Sequence, residues 1–218
     1  IYVSMGMWDE VIQSNIASWD ASVERMKRKD LDDNARSYHA LHWLMYGLTQ
    51  QGRYEEAAKI MKDFKTYTAK EPSRAARSYM VTILANYLVE TEDWDNEEVW
   101  AIAGEREDLN ILTRGIYHFA EGWQAYRQGD KTALAQVIET MAQERKDAAN
   151  QVTASGAPMC SAAGSSRSLP NQLDIDQARV MALELEAMQA QLNGDLTATE
   201  NLLKEATTLE QQLSYAYG

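Results

Sequence analysis

The residues in this sequence with the chemistry for catalysis or metal binding are few: three histidines, one cysteine and two glutamates set in apolar stripes. His39 and His42 are three apart, so on a helix they share one face. A structural or catalytic metal needs three or four ligands at about 2 Å. The third histidine, His118, falls two helical hairpins further on, and packed helices stand about 8–10 Å apart. It is out of reach unless the chain curls tightly, and Asp32 and Asp33 reach the pair only by chain reversal. The pair therefore reads first as ligand contacts or as satisfied imidazoles, and no metal or cofactor is expected. Cys160 and Ser161 lie in a loop-like stretch without a nucleophile motif, and such a loop is a poor place to hold a catalytic constellation. Glu121 and Glu186 are either partly exposed or paired with Arg114 or Arg179, one helical row away. Buried without a partner, their pKa values would rise.

The elements that must position these residues are helical. Three prolines and eleven glycines in 218 residues leave a composition of helix formers. One local pattern recurs, an apolar helix followed by a Gly-centred turn and a second helix. It appears around Gly6, Gly52, Gly129 and Gly194, with a degenerate copy at Glu92. Gly suits a helix that must stop and reverse, because the left-handed conformation carries no Cβ penalty there. The aromatics two residues on (Trp8, Tyr54, Trp94) are expected to cap the apolar end of each hairpin. Before the turns, Leu41, Leu44, Met45 and Leu48 form one seam, and Val81, Leu84, Ala85 and Leu88 another. His118, Gly122 and Ala125, then Leu183, Ala187 and Ala190, repeat the spacing. The small residues Ala85, Gly122 and Ala187 invite close approach of a neighbouring helix.

These hairpins predict an all-α fold, a right-handed superhelical stack of antiparallel helical hairpins of the tetratricopeptide (TPR-like α-solenoid) kind. The turns stand 46, 40, 37 and 65 residues apart, against about 34 in a regular TPR array, so the repeat lengths are irregular. The match is strongest from Tyr38 to Phe64. The 65-residue gap coincides with a small, polar, Gly-containing stretch, and residues 153–170 are read as a long loop between hairpins. Residues 1–218 are read as one helical-repeat domain, a fragment of a longer array, because neither end looks like a polar capping repeat.

In such a stack the first helix of each hairpin lines a concave face. Residues that point away from the seams are the candidate ligand contacts: His39, His42, Tyr46 and Gln50, then Tyr79 and Asn86, then Trp123 and Tyr126. Thr49, Thr82, Ile116, Phe119, Met181, Glu184 and Met188 share the stripe. Aromatic, amide and methionine side chains in that pattern suit a peptide or an amphipathic helix, although long helices also bury such residues against one another.

The formal net charge of −12 disfavours nucleic acid and anionic membranes. The one basic cluster, Arg25 to Lys29, reads as a helix C-terminus, where cations complement the dipole. No apolar run is long enough to span a membrane. A single cysteine leaves the redox compartment open, and the oligomeric state is not readable.

The segments Ile1–Glu10, His39–Gly47 and Tyr215–Gly218 resemble a family of large bacterial TPR-repeat proteins. Members carry a His-containing stretch just before the equivalent of Ile1-Tyr2 and a Pro-rich segment after the equivalent of Tyr217-Gly218. The resemblance implies a bacterial protein, cytoplasmic or periplasmic, with no assigned activity to carry over. The functional expectation is a protein- or peptide-binding scaffold that uses the concave face. The alternative is a small-molecule- or metal-dependent enzyme in which His39 and His42 act with residues outside this sequence.

Overall fold

The computed structural model describes residues 2–67, 71–154 and 170–213. Among these the chain is all-α, with nine helices and three short 3-10 turns. It divides into two compact units, residues 1–108 and 109–218.

The first unit contains α1 (Trp8–Arg28), α2 (Tyr38–Gln50), α3 (Tyr54–Tyr67), α4 (Arg74–Thr91) and the short α5 (Glu97–Trp100). Asp9 and Glu10 open α1 and Arg25, Lys27 and Arg28 close it, so both ends suit the helix dipole. The hydroxyls of Ser37 and Ser73 accept the Ala40 and Ala76 N–H groups and start α2 and α4. α2 packs against α1, α3 and α4. Its seam of Leu41, Leu44, Met45 and Leu48 is buried, as is the α4 seam of Val81, Leu84, Ala85 and Leu88. Tyr38 meets Phe64 edge to face, with ring centroids 5.9 Å apart.

All five predicted turn positions adopt the left-handed conformation. The φ values are 66° at Gly6, 68° at Gly52, 69° at Gly129 and 80° at Gly194, with Glu92 at 55°. Glu92 therefore carries the Cβ strain that the glycines avoid. The capping aromatics differ among themselves. Trp94 is buried and Trp8 half-buried, but Tyr54 is 46% exposed. The turn at Glu92 also differs from the expected pattern, because no long second helix follows it. α5 has four residues and passes into a 3-10 turn, Ala101–Ala103. Gly104, at φ 55° and ψ −148°, then breaks the helix, and the charged run Glu105 to Asp108 offers no apolar face to continue it. Arg77 ties this run down by a two-pronged contact with Asp108, 2.7 Å on the Nη1 side, and by donating to the Glu105 carbonyl.

The second unit contains α6 (Ile111–Gln128), α7 (Lys131–Ala154), α8 (Gln172–Leu192) and α9 (Leu196–Gln212). Asn110, Asn171 and Asp195 cap α6, α8 and α9 by accepting the N–H groups of Thr113, Asp174 and Ala198 at 2.8–2.9 Å. α8 packs on α6, α7 and α9, and α6 also packs on α7. Leu134, Met141, Ala182 and Leu185 form one core with Ala125. Ile111, Ala148, Ile175 and Ala178 form a second. Gly122 sets the α6–α8 approach, since a Cβ there would stand 2.5 Å from Leu185 Cδ1. Of the predicted loop, Thr153 and Ala154 complete α7 and Pro170 precedes α8. Residues 155–169, with Cys160 and Ser161, lie outside the described residues, as do Tyr215 to Gly218. No helix among the described residues is long and apolar enough to cross a membrane.

Candidate functional site

In the first unit, the packing of α2 on α4 brings five sequence-predicted residues, with Glu90 as the sixth member, into three facing pairs. The Tyr79 hydroxyl lies 3.3 Å from His39 Nδ1. The Asn86 amide nitrogen lies 2.9 Å from His42 Nε2. Gln50 donates to the Glu90 carboxylate at 3.0 Å. Tyr46 completes the stripe on α2 through a continuous run of rings. Its centroid lies 5.8 Å from Trp8 and 6.0 Å from Trp43, and Trp43 in turn lies 5.1 Å from His42 and 6.3 Å from His39. Trp43 was not among the candidates, yet it stands four residues after His39 and three before Tyr46, a spacing that places it on the same face. Thr49 was placed on this face but is 2% exposed. Its hydroxyl turns back to the Tyr46 carbonyl at 2.9 Å, which satisfies it inside the packed interface.

Burial pushes His42 down to about 4, and the neighbouring His39 adds to the effect. At neutral pH His42 is an uncharged imidazole whose Nε2 accepts from the amide nitrogen beside it. His42 thus offers stacking and neutral hydrogen bonding rather than a charged acid. His118 belongs to the other unit, and among the described residues no cluster of three His, Cys, Asp or Glu is placed to hold a metal ion.

In the second unit, Trp123 and Tyr126 from α6 line a groove of about 360 Å³ with Glu184, Met188 and Gln191 of α8 and Leu203 of α9. The Tyr126 hydroxyl donates to Gln191 at 2.7 Å and fixes one wall. Phe119 meets Trp123 edge to face at 5.5 Å and backs the other. Phe119 and Met181 pack against the core instead of facing the groove. Burial, aided by the charge of Glu210, raises the pKa of Glu184. The α9 contribution was missed in the sequence, although Leu196 and Leu203, seven apart, mark an apolar stripe that α9 leaves exposed.

The two glutamates that interrupt the seams are both in ion pairs. Arg179 reaches Glu186 at 2.5 Å and Glu205 at 3.2 Å, one of the two pairings expected. Glu121 meets His118 Nδ1 at 2.8 Å rather than Arg114, which lies 3.4 Å from Glu144 on α7. Glu144 is also 3.6 Å from His118 Nε2. Burial opposes charge on His118, but the two carboxylates outweigh it and lift the pKa to about 9. His118 is thus a cation tying α6 to α7, with a polar recess of about 420 Å³ beside it lined by Gln124, Gln136 and Thr140.

Comparison with protein-family models, curated proteins and solved structures finds no match to this chain.

Proposed function

We propose that the chain is a peptide-binding scaffold built from TPR-like helical hairpins, related to the bacterial TPR-repeat proteins that its sequence resembles. The α6–α8–α9 groove carries this reading. It is concave, its apolar wall holds two aromatic rings, and a few polar groups converge on it, which is the composition of a side-chain-accepting site. The hairpin architecture has independent support. The five positions read from the sequence are all left-handed; those at Gly52, Gly129 and Gly194 join helices that pack on each other, and the helices preceding successive turns also pack directly, α2 on α4 and α6 on α8. That neighbour-on-neighbour packing is how helical repeats bury a core. The first unit separately offers a surface of the same kind, the ring run from Trp8 to Tyr79, with Asn86 and Gln50 as its polar contacts.

A peptide-display selection against the chain tests this reading, with selected binders retested on Trp123→Ala and Tyr46→Ala. Binders should lose at least about tenfold in affinity on one of the two variants, the cost of removing an aromatic contact. Binders that hold both variants as tightly as the parent would place the site elsewhere.

A further inference from the structure

We propose that the α6–α8–α9 groove takes a basic amphipathic peptide, whose apolar side chain lies on Trp123, Met188 and Leu203 and whose lysine or arginine pairs with Glu184. This rests on the peptide-binding reading above and names the ligand's chemistry.

The argument starts from the carboxylates of the second unit. Four of its glutamates are half-buried: Glu121, Glu144, Glu184 and Glu186. Glu121 meets His118, Glu144 meets Arg114 and His118, and Glu186 meets Arg179. Glu184 alone has no hydrogen bond or ion pair among the described residues. A carboxylate half removed from water without a counter-charge is destabilising. The neighbouring charge that acts on it is Glu210, also negative, and Lys204 on α9 is engaged with Glu200 at 2.5 Å. The groove therefore lacks one positive charge, at its own wall.

The remaining surfaces match the rest of such a ligand. The faces of Trp123 and Tyr126 attract a cation as well as apolar groups. Leu203 is 46% exposed and Leu196 70% exposed on α9, so a leucine-like side chain has apolar surface to cover. A small organic ammonium would answer only the charge and leave Leu203 in water. An acidic peptide would meet Glu184 at the groove wall and be rejected.

Calorimetric titration of the intact chain decides the matter with three capped probe peptides. They share one pattern of leucines, and their polar positions are lysine, glutamine or glutamate. The lysine peptide should bind the parent tightest and the glutamate peptide not at all. Glu184→Gln, which keeps the side-chain shape, should weaken the lysine peptide about tenfold and leave the glutamine peptide unchanged. Trp123→Ala should weaken both; Trp123→Phe replaces it if the alanine variant loses its helical circular dichroism. If Trp123→Ala weakens both peptides but Glu184→Gln does not affect the lysine peptide, the cation requirement is overturned and the peptide-binding reading stands. If no probe binds, or none responds to Trp123, that reading falls and takes the inference with it.

Discussion

Adding one methyl group at Gly122 and, separately, at Gly115 separates two opposing effects on the same helix. Each Gly→Ala change in a helix interior gains about 1 kcal/mol from backbone entropy. At Gly122 the new Cβ would lie 2.5, 2.8 and 3.2 Å from Cδ1, Cδ2 and Cγ of Leu185. Leu185 is fully buried, so it has no free rotamer to retreat to, and overpacking of this kind costs about 1–3 kcal/mol. Because the contact falls well below van der Waals separation, the upper half of that range applies. Gly122→Ala should therefore be destabilising by about 1–2 kcal/mol net. At Gly115 the new Cβ would lie 3.1 Å from Met181 Cε and 3.3 Å from Ala178 Cβ. The Met181 methyl is the end of a flexible, half-buried side chain and can shift. Gly115→Ala should stay within about 0.5 kcal/mol of the parent. Urea unfolding followed by circular dichroism, with midpoints compared at constant slope, reads the difference. Equal stability of the two variants would show that α6 and α8 do not approach each other as closely at Gly122 as the packing requires.

Three further outcomes follow from named groups. His118 titrates at an ordinary 6.5 in the unfolded chain and about 9 in the folded one. Its stabilising contribution is complete below pH 6.5 and is lost as the pH rises through about 9, so His118→Gln should flatten the parent's loss of stability across that window. His42 behaves in the opposite sense, with a folded value near 4. The unfolded chain binds its proton first as the pH falls below 6.5, so stability declines toward pH 4. The imidazole carbon–proton NMR signal of His42 should stay in its neutral position down to about pH 5, and a midpoint near 6.5 would contradict the buried, Asn86-bonded ring. Asn110→Ala removes the cap that accepts the Thr113 N–H at 2.8 Å and should cost about 1 kcal/mol in the same urea assay, while Asn110→Ser should retain most of it.

The helices and their reversals were legible because their signals are local. A seam of Leu41, Leu44, Met45 and Leu48, followed by a glycine that must turn left-handed, needs no tertiary information, and even Glu92 could be placed by analogy with its glycine counterparts. The pairings of α2 with α4 were only half legible. Spacing put His39, His42, Tyr79 and Asn86 on one side of their helices, but which faced which depended on how the two helices register. Thr49 was misplaced because its hydroxyl can satisfy itself on the Tyr46 carbonyl and so tolerates burial. The partner of Glu121 depended on α7 as well: Glu144 occupies Arg114 and helps to keep His118 charged for Glu121. The truncated α5 was missed because the turn resembles the others, and only the charged run after Gly104 distinguishes it. The groove wall from α9 could not be assigned without knowing that α9 follows α8 back past α6.

A nitrogen–proton NMR titration of the chain with the leucine–lysine peptide measures the peptide-binding claim most directly. The Trp123 indole and the backbone amides around Tyr126, Glu184, Met188 and Leu203 should shift together and saturate with one midpoint. Shifts confined to other helices, or none at peptide concentrations that saturate a calorimetric signal, would contradict it.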